Sequence, residues 1–429
     1  MSIKKVVVTG LGALAPNGNS ADLFWSAIES STSGIAPISY FDTSNHRVTI
    51  AGEIKGFDAG KFIDPKEVRK LDPFSIYALV SSMEAIESAK LDLEKINLDR
   101  AGVIIGCGIG GIQTLENEHD IINNKGPRRV SPQFVAKMIP NIAGGHLSMK
   151  FGLRGPSQTV ISACASSNDA IGIALRLIRY GDADIILTGG TEASITPLTI
   201  AGFANMRALS QNCDIPTAAS RPFDADRDGF VLSEGAGMIV IESEEHALNR
   251  GAPILAELAG YGSTDDAFHI TQPSPEGQGA YKAMERAILD SNIKPDDIDY
   301  INAHGTSTPF NDRNESKAIS NLFKNSLNKL KISSTKSMTG HLLGAAGGIE
   351  AVATVKSIIN GIVPPTINYN TPDPDCTLDY TPNHAVEAEI NAALSNTFGF
   401  GGHNAVLCLS LIHISEPTRR YAISYAVFC

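Results

Sequence analysis

The chain predicts an α/β protein built from two related halves, and three observations carry that expectation. Apolar strand-like runs alternate with helical stretches and Gly-rich turns along its length. Several of these runs lack polar alternation, as strands covered on both faces do. Residues 159–190 read strand, small-residue turn, helix, Gly, strand, and residues 331–368 read the same way.

Taken in order, Lys5–Thr9 and Ala101–Ile105 read as buried strands. Thr159–Ala163 reads as a strand that turns into the helical stretch Ala165–Tyr180. Asp184–Thr188 and Gly237–Glu242 follow, and the helix Glu244–Asn249 ends in the turn Arg250-Gly251-Ala252-Pro253, which marks the boundary between residues 1–250 and 251–410. Asp299–Ala303 and Ala405–Leu409 supply further strands. The tail, residues 411–429, carries Ser415-Glu416-Pro417-Thr418-Arg419-Arg420 before an apolar end and is expected not to be a native element of the fold.

Composition narrows the classes of function. A chain of 429 residues with 43% hydrophobic and 19% charged residues can bury a large core. A formal net charge of −11 argues against nucleic acid as the main partner, and an acidic partner would need a local basic patch. The six cysteines are scattered singly, which speaks against a zinc site or a disulfide framework and for a reducing cytoplasm. The start runs straight into a strand, so no signal peptide is expected, and no apolar run is long enough for a transmembrane helix.

The chemistry centres on Cys164, placed where a strand turns into a helix. A free thiol has a pKa of about 8.5, and the unpaired N–H groups of a helix start favour its anion, so this placement is expected to lower the pKa and make a nucleophile. Two histidines stand in similar places. His304 follows a strand and opens His304-Gly305-Thr306-Ser307-Thr308-Pro309, while His341 lies among small residues in Lys336-Ser337-Met338-Thr339-Gly340-His341. In the internal similarity, residues 334–341 take the place that Cys164 holds in the first copy, so Cys164 and His341 should meet at helix N-termini. The segment Asn396-Thr397-Phe398-Gly399-Phe400-Gly401-Gly402-His403-Asn404 reads as a loop whose N–H groups, with that of Cys164, could form an oxyanion hole.

These segments, with Ser220-Arg221-Pro222-Phe223-Asp224 and Asp228-Gly229-Phe230-Val231, resemble β-ketoacyl-[acyl-carrier-protein] synthases of type II over roughly residues 1–410. The resemblance implies a thiolase-like fold, two similar βαβαβαββ halves forming a five-layered α-β-α-β-α core, and a homodimer. It also implies decarboxylative Claisen condensation: Cys164 takes the acyl group, His304 and His341 stabilise the malonyl enolate, and the N–H groups of Cys164 and Phe400 receive the later oxyanion. Lys336 is implied as an essential lysine that pairs with Glu315 and orients the histidines. Ile109 is implied to line the acyl tunnel, Phe400 to gate it, and Phe398 and Gly399 to flank it. Phe230, Thr306 and Thr308 would line the pantetheine entrance. Lys66, Arg69 and Lys70, at i, i+3 and i+4 of a helix, would dock the acidic acyl carrier protein together with Arg128, Arg129 and Arg207. Asn302, Glu350, Ser395 and Asn396 match a cation site found in parts of the family. No cofactor of the chain's own is expected, since phosphopantetheine arrives on the carrier. The rivals are a polyketide ketosynthase, which keeps Cys-His-His, and a non-catalytic chain-length factor, which lacks the nucleophile.

Overall fold

The computed structural model describes residues 3–411, so the tail beyond Leu411 lies outside the described residues. Ten strands form one sheet. In the first half they are β1 (Val6–Leu14), β2 (Ala101–Gly106), β3 (Ser157–Val160), β4 (Ile185–Glu192) and β5 (Gly235–Ser243). In the second half they are β6 (Ala256–Asp265), β7 (Tyr300–Asn302), β8 (Lys331–Ser333), β9 (Ala392–Phe398) and β10 (His403–Ser410).

The internal similarity extends to the whole topology. The first half runs in the order β3-β2-β4-β5-β1 and the second in the order β8-β7-β9-β10-β6. Counted within its half, each therefore reads third, second, fourth, fifth, first. The directions match as well: the first three strands of each list are mutually parallel, and the fifth pairs antiparallel with both its neighbours. The halves join through β1 and β6 by only two residue pairs, Val7 with Glu257 and Val8 with Ala256.

Helices cover these sheets in layers. On the outer faces, α1 (Pro73–Ser88) packs on β1 and β5, and α3 (Gln278–Ser291) on β6 and β10. Between the halves lie α2 (Ser166–Arg179) and α5 (Ala346–Asn360), which touch strands of both, while α4 (Pro309–Leu322) packs beside α3. The order helix, sheet, helix, sheet, helix is the expected five-layered core. The central pair explains the apolar strands, since helices bury both faces. Twelve of the fifteen α5 residues are buried, far more than a one-sided surface helix would be.

Several predicted boundaries shift. β1 runs five residues past Thr9, because Gly10 and Gly12 let the backbone pass against α1 where a Cβ would overlap Ala85 and Ser81 carbonyls. β6 and β9 were not expected as strands. The stretch 396–404, expected as a loop, is the end of one hairpin strand and the start of the next, so only Gly399–Gly402 lies between them. Lys66 sits in a single helical turn, Pro65–Val68, rather than in a longer helix carrying Arg69 and Lys70. No helix among the described residues is long and apolar enough to cross a membrane.

Candidate active site

Cys164 sits in a one-turn 3₁₀ helix, Ala163–Ala165, that opens α2. The turn is sharp: Ala163 has φ of 50°, a left-handed conformation costly for a residue with a side chain. Local hydroxyls hold it, with Ser162 N donating to Ser166 Oγ at 2.9 Å, Ser166 Oγ to the Ala163 carbonyl at 2.6 Å and Ser162 Oγ to Asp169 at 2.5 Å.

The second half repeats this turn, but not at His341. Leu343 has φ of 49° at the start of the 3₁₀ turn Leu343–Ala345, which opens α5. The residue corresponding to Cys164 is therefore Gly344, and His341 lies three residues earlier, on the strap between the turn Lys336–Thr339 and that helix start. First-half backbone holds the strap, His341 N donating to the Val231 carbonyl at 2.8 Å and Ser233 N to the His341 carbonyl at 3.0 Å.

The three predicted catalytic side chains meet. His341 Nε2 is 2.9 Å from Cys164 Sγ. The His304 and His341 rings stand edge to face with centroids 5.4 Å apart. Phe230 packs edge-on against His341 at 5.3 Å and Phe398 against His304 at 5.7 Å, so both imidazoles are walled by aromatic rings. Burial, assisted by the Lys336 charge, holds both histidines well below the usual imidazole range and hence neutral. Among the described residues Nδ1 of each ring has no partner, so neither tautomer is locked.

The thiol departs from the expectation of a lowered pKa. Burial pushes Cys164 up to about 12, while Lys336 and the N–H groups of Phe400 and of Cys164 itself pull it down. In this dry site desolvation of the anion outweighs the helix start. The resting pair is a neutral thiol against a neutral imidazole.

Lys336 also departs from expectation. It pairs with Glu350, both about 1% exposed, rather than with Glu315. Burial raises Glu350 to about 7 even with that ammonium beside it. Glu315 instead accepts from the backbone N–H groups of His304 and Gly305, both at 2.8 Å, and from Asn396 Nδ2 at 3.1 Å. It thus fixes the start of the His304 loop directly and reaches Lys336 through no contact.

Gly399 brings the hairpin turn onto the nucleophile. A Cβ there would lie 2.8 Å from the Ser162 carbonyl and 3.0 Å from Cys164 N, so only glycine fits. This approach aims Phe400 N–H at the sulfur.

The site opens into a cavity of about 400 Å³, bordered by Ile109, Phe230, Thr306, Thr308, Phe398, Gly399, Phe400 and Arg207 together with Cys164 and both histidines. Thr306 and Thr308 hydroxyls are 2.9 Å apart. Sequence reasoning missed Phe203, whose ring packs 6.4 Å from Phe400 and 5.4 Å from Phe230, because it lies on a helix without a motif. Of the docking candidates, Lys66, Arg69, Lys70, Arg128, Arg129 and Arg207 are all exposed, and Lys137 Nζ donates to the Arg69 carbonyl at 3.3 Å.

Two groups bear on a metal. The Cys164, His304 and His341 donor atoms lie within 4.8 Å of one another, a soft-metal ligand set, but the neighbouring Lys336 charge opposes a second cation there. Asn302 and Ser395 pair across β7 and β9, and Asn396 follows. Asn302 Oδ1, Ser395 Oγ, Asn396 Oδ1 and Glu350 Oε2 are all buried without a hydrogen-bond partner among the described residues, a donor chemistry that fits a hard cation.

Comparison with known proteins agrees with this geometry. Residues 4–247 match the family described as beta-ketoacyl synthase, N-terminal domain, and residues 255–370 match beta-ketoacyl synthase, C-terminal domain. The chain is 52% identical over 404 residues to the 3-oxoacyl-[acyl-carrier-protein] synthase 2 of Staphylococcus aureus (strain COL), covering 94% of this chain and 97% of that one. It is 50% identical over 404 residues to the protein of the same name from Synechocystis sp., with the same coverage. Among solved structures, a chain from a complex of a type II polyketide acyl-carrier protein with its ketosynthase superposes with a TM-score of 0.88 at 36% identity, covering 96% of this chain and all (100%) of that one. A beta-ketoacyl synthase from Burkholderia phymatum gives 0.88 at 33%, covering 95% and 100%. With both domain matches in sequence and its nucleophile and two histidines gathered in one buried site, the chain belongs to the β-ketoacyl synthase family.

Proposed function

We propose that the chain is a 3-oxoacyl-[acyl-carrier-protein] synthase that lengthens fatty acyl chains by decarboxylative condensation. The contact of Cys164 Sγ with His341 Nε2 at 2.9 Å, beside a second neutral imidazole, carries this reading. A chain-length factor has no use for such a nucleophile. The greater identity to the proteins named 3-oxoacyl-[acyl-carrier-protein] synthase 2 than to the type II polyketide structure favours the fatty acid pathway.

In the first step Cys164 sulfur attacks the carrier-bound acyl carbonyl. The new C–S bond forms, the bond to pantetheine breaks, and the thiol proton passes through His341 to the departing thiolate. In the second step malonyl thioester loses carbon dioxide. The electron pair of the broken C–C bond becomes an enolate, whose oxygen accepts from His304 and His341. Its α-carbon then attacks the Cys164 thioester, and the resulting oxyanion sits against the N–H groups of Cys164 and Phe400. Collapse breaks the C–S bond and releases a 3-oxoacyl carrier two carbons longer. Lys336, paired to Glu350, sets the charge that keeps the imidazoles neutral. Ile109 walls the acyl chain, Phe400 with Phe203 gates it, and Phe230, Thr306 and Thr308 receive the pantetheine arm.

Further parts of the reading extend to partners. The carrier docks through Lys66, Arg69, Lys70, Arg128, Arg129 and Arg207 and brings the pantetheine, so the chain needs no cofactor of its own. The chain works as a homodimer in the cytoplasm. A hard cation bound by Asn302, Glu350, Ser395 and Asn396 would raise the melting temperature in potassium, sodium, calcium or magnesium salts over tetramethylammonium at equal ionic strength; equal melting in all five rejects that site.

The deciding experiment supplies acyl- and malonyl-carrier protein and follows products by mass. Wild type should give an acyl adduct on Cys164 and a chain two carbons longer, while Cys164→Ala gives neither. Elongation by Cys164→Ala would overturn the assignment.

A further inference from the structure

Glu192 ends β4, is fully buried, and forms no salt bridge among the described residues. Every group it touches is a donor. Oε2 accepts from Gly108 N at 2.9 Å and Gly344 N at 3.1 Å, and Oε1 accepts from Ile109 N at 3.2 Å and Ser194 Oγ at 3.1 Å. The Cys107 thiol lies 3.9 Å from Oε1. Three backbone N–H groups and a hydroxyl turned on these oxygens favour the ionised form, while burial raises its pKa.

These contacts tie together three segments distant in sequence. Gly108 and Ile109 begin the wall of the acyl cavity. Gly344 is the counterpart of Cys164 in the second half and lies three residues after His341. Its carbonyl accepts from the hydroxyl of Ser167, three residues after Cys164 on the nucleophile helix. The Gly344 peptide thus hangs between Glu192 and the Cys164 helix. The approach is close enough to demand glycine, since a Cβ at Gly344 would overlap Gly108 N and lie 2.8 Å from Glu192 Oε2, and one at Gly108 would lie 2.7 Å from the same oxygen. Glu315 does the matching work in the second half, binding the consecutive N–H groups of His304 and Gly305 that follow β7.

We propose that Glu192 is a positioning residue for the condensation, locking the tunnel wall at Gly108–Ile109 to the turn that carries His341 and to the Cys164 helix, so that acyl-chain recognition and the reacting groups share one register. The proposal rests on the synthase reading above. Its negative charge also acts on the thiol, holding Cys164 less acidic than it would otherwise be.

The variant Glu192→Gln separates a positioning role from a merely structural one. Its amide cannot accept from all four donors, and it carries no charge. At pH 8 the rate of Cys164 alkylation by iodoacetamide, read by mass, should rise, because the negative charge that helps hold the thiol up is gone. This readout needs no elongation and so stands apart from any failure of the synthase reading. With carrier substrates of graded length, the ratio of long-chain to short-chain turnover should fall severalfold as the Ile109 wall loosens. Unchanged or slower alkylation together with equal loss at every length would overturn the proposal. If Glu192→Gln does not fold, Ser194→Ala, which removes one donor and keeps the charge, should shift the length ratio in the same direction; a uniform effect across lengths would overturn the proposal there.

Discussion

At Cys164 two effects compete, the charge-favouring N–H groups of a helix start and the cost of a bare anion in a dry pocket. Burial wins: it pushes the Cys164 pKa up to about 12, so the thiol rests protonated near neutrality. The two imidazoles beside it are pushed the other way and stay neutral. The sign fixes the pH behaviour: the alkylation rate of Cys164 should climb with pH through neutrality and still be rising at pH 9, with no limb from a histidine near its ordinary value of about 6.5. A plateau reached by pH 7 would show a thiolate–imidazolium pair instead. The histidines should also separate in function. His341 touches the sulfur and His304 does not, so His304→Ala should slow malonyl decarboxylation by about 10²-fold or more while Cys164 still becomes acylated, and His341→Ala should slow both steps. Intact-mass acylation and carbon dioxide release measure the two separately. The triad was legible in the sequence because each member lies in a short motif rich in small residues, Cys164 and His304 just past strand ends and His341 on the strap before a helix start. The partner of Lys336 was not. Glu315 and Glu350 both lie on helices that follow the histidine segments, and only packing sets Glu350 of α5 against the ammonium while backbone donors claim Glu315. Neither was the thiol's state, because burial is a property of the assembled halves.

The helix-opening turns act as units. Ala163 and Leu343 hold left-handed φ values at equivalent points of the two halves, one aiming a thiol and the other placing a bare glycine. The Gly399–Gly402 turn completes the first unit by bringing Phe400 N–H to the sulfur. Gly399→Ala should therefore displace the turn from Ser162 and Cys164 rather than unfold the protein. Acylation should fall by about 10²–10³-fold, the usual cost of removing one oxyanion donor, while the melting temperature changes little; full acylation by this variant would refute the role of the turn. The periodicity of helices and of apolar strands carried most elements, and α2 begins within one residue of its expected start. β6 escaped because Gly260 and Gly262 interrupt its apolar run so that the backbone can pass against α3. The register of the repeat slipped by three residues because His341 is the conspicuous residue, whereas the equivalent of Cys164 is a glycine with no side chain to announce it.

Across the whole molecule, charge and sheet edges point to partners. Lys66, Arg69, Lys70, Arg128 and Arg129 are exposed cations on a chain of net charge −11, and Lys137 donates to the Arg69 carbonyl. An acidic carrier would be drawn to this patch. Reversing Arg128 and Arg129 to Glu should raise KM for acyl-carrier protein about tenfold or more and leave turnover of a small acyl thioester unchanged; equal loss on both would reject docking there. The sheet has two edges, and they are treated differently. β8 is covered, since Ser334 N donates to Thr366 Oγ1 and Thr381 Oγ1 to the Ile332 carbonyl. Among the described residues no strand pairs with the outer side of β3: Ser157 and Gln158 are exposed, as is Ile161 at 58%. Its ladder to β2 uses the Pro156 and Val160 carbonyls, so the alternate backbone groups of 157 and 159 face outward. An open edge of this kind invites another strand. Exposed Met149 and Val135 on the adjoining helices extend the patch with apolar surface. The homodimer we propose buries this edge by pairing two copies of β3 about a twofold axis, four residues from Cys164 in each chain. Ile161→Lys, one residue past β3, then adds a charge to this interface in each chain, and sedimentation should show a shift from about twice the 45.4 kDa chain mass toward the monomer. Elongation should fall with it, because Ile161 leads directly into the Ser162–Ala163 turn. A variant that stays dimeric at micromolar concentration would place the interface elsewhere.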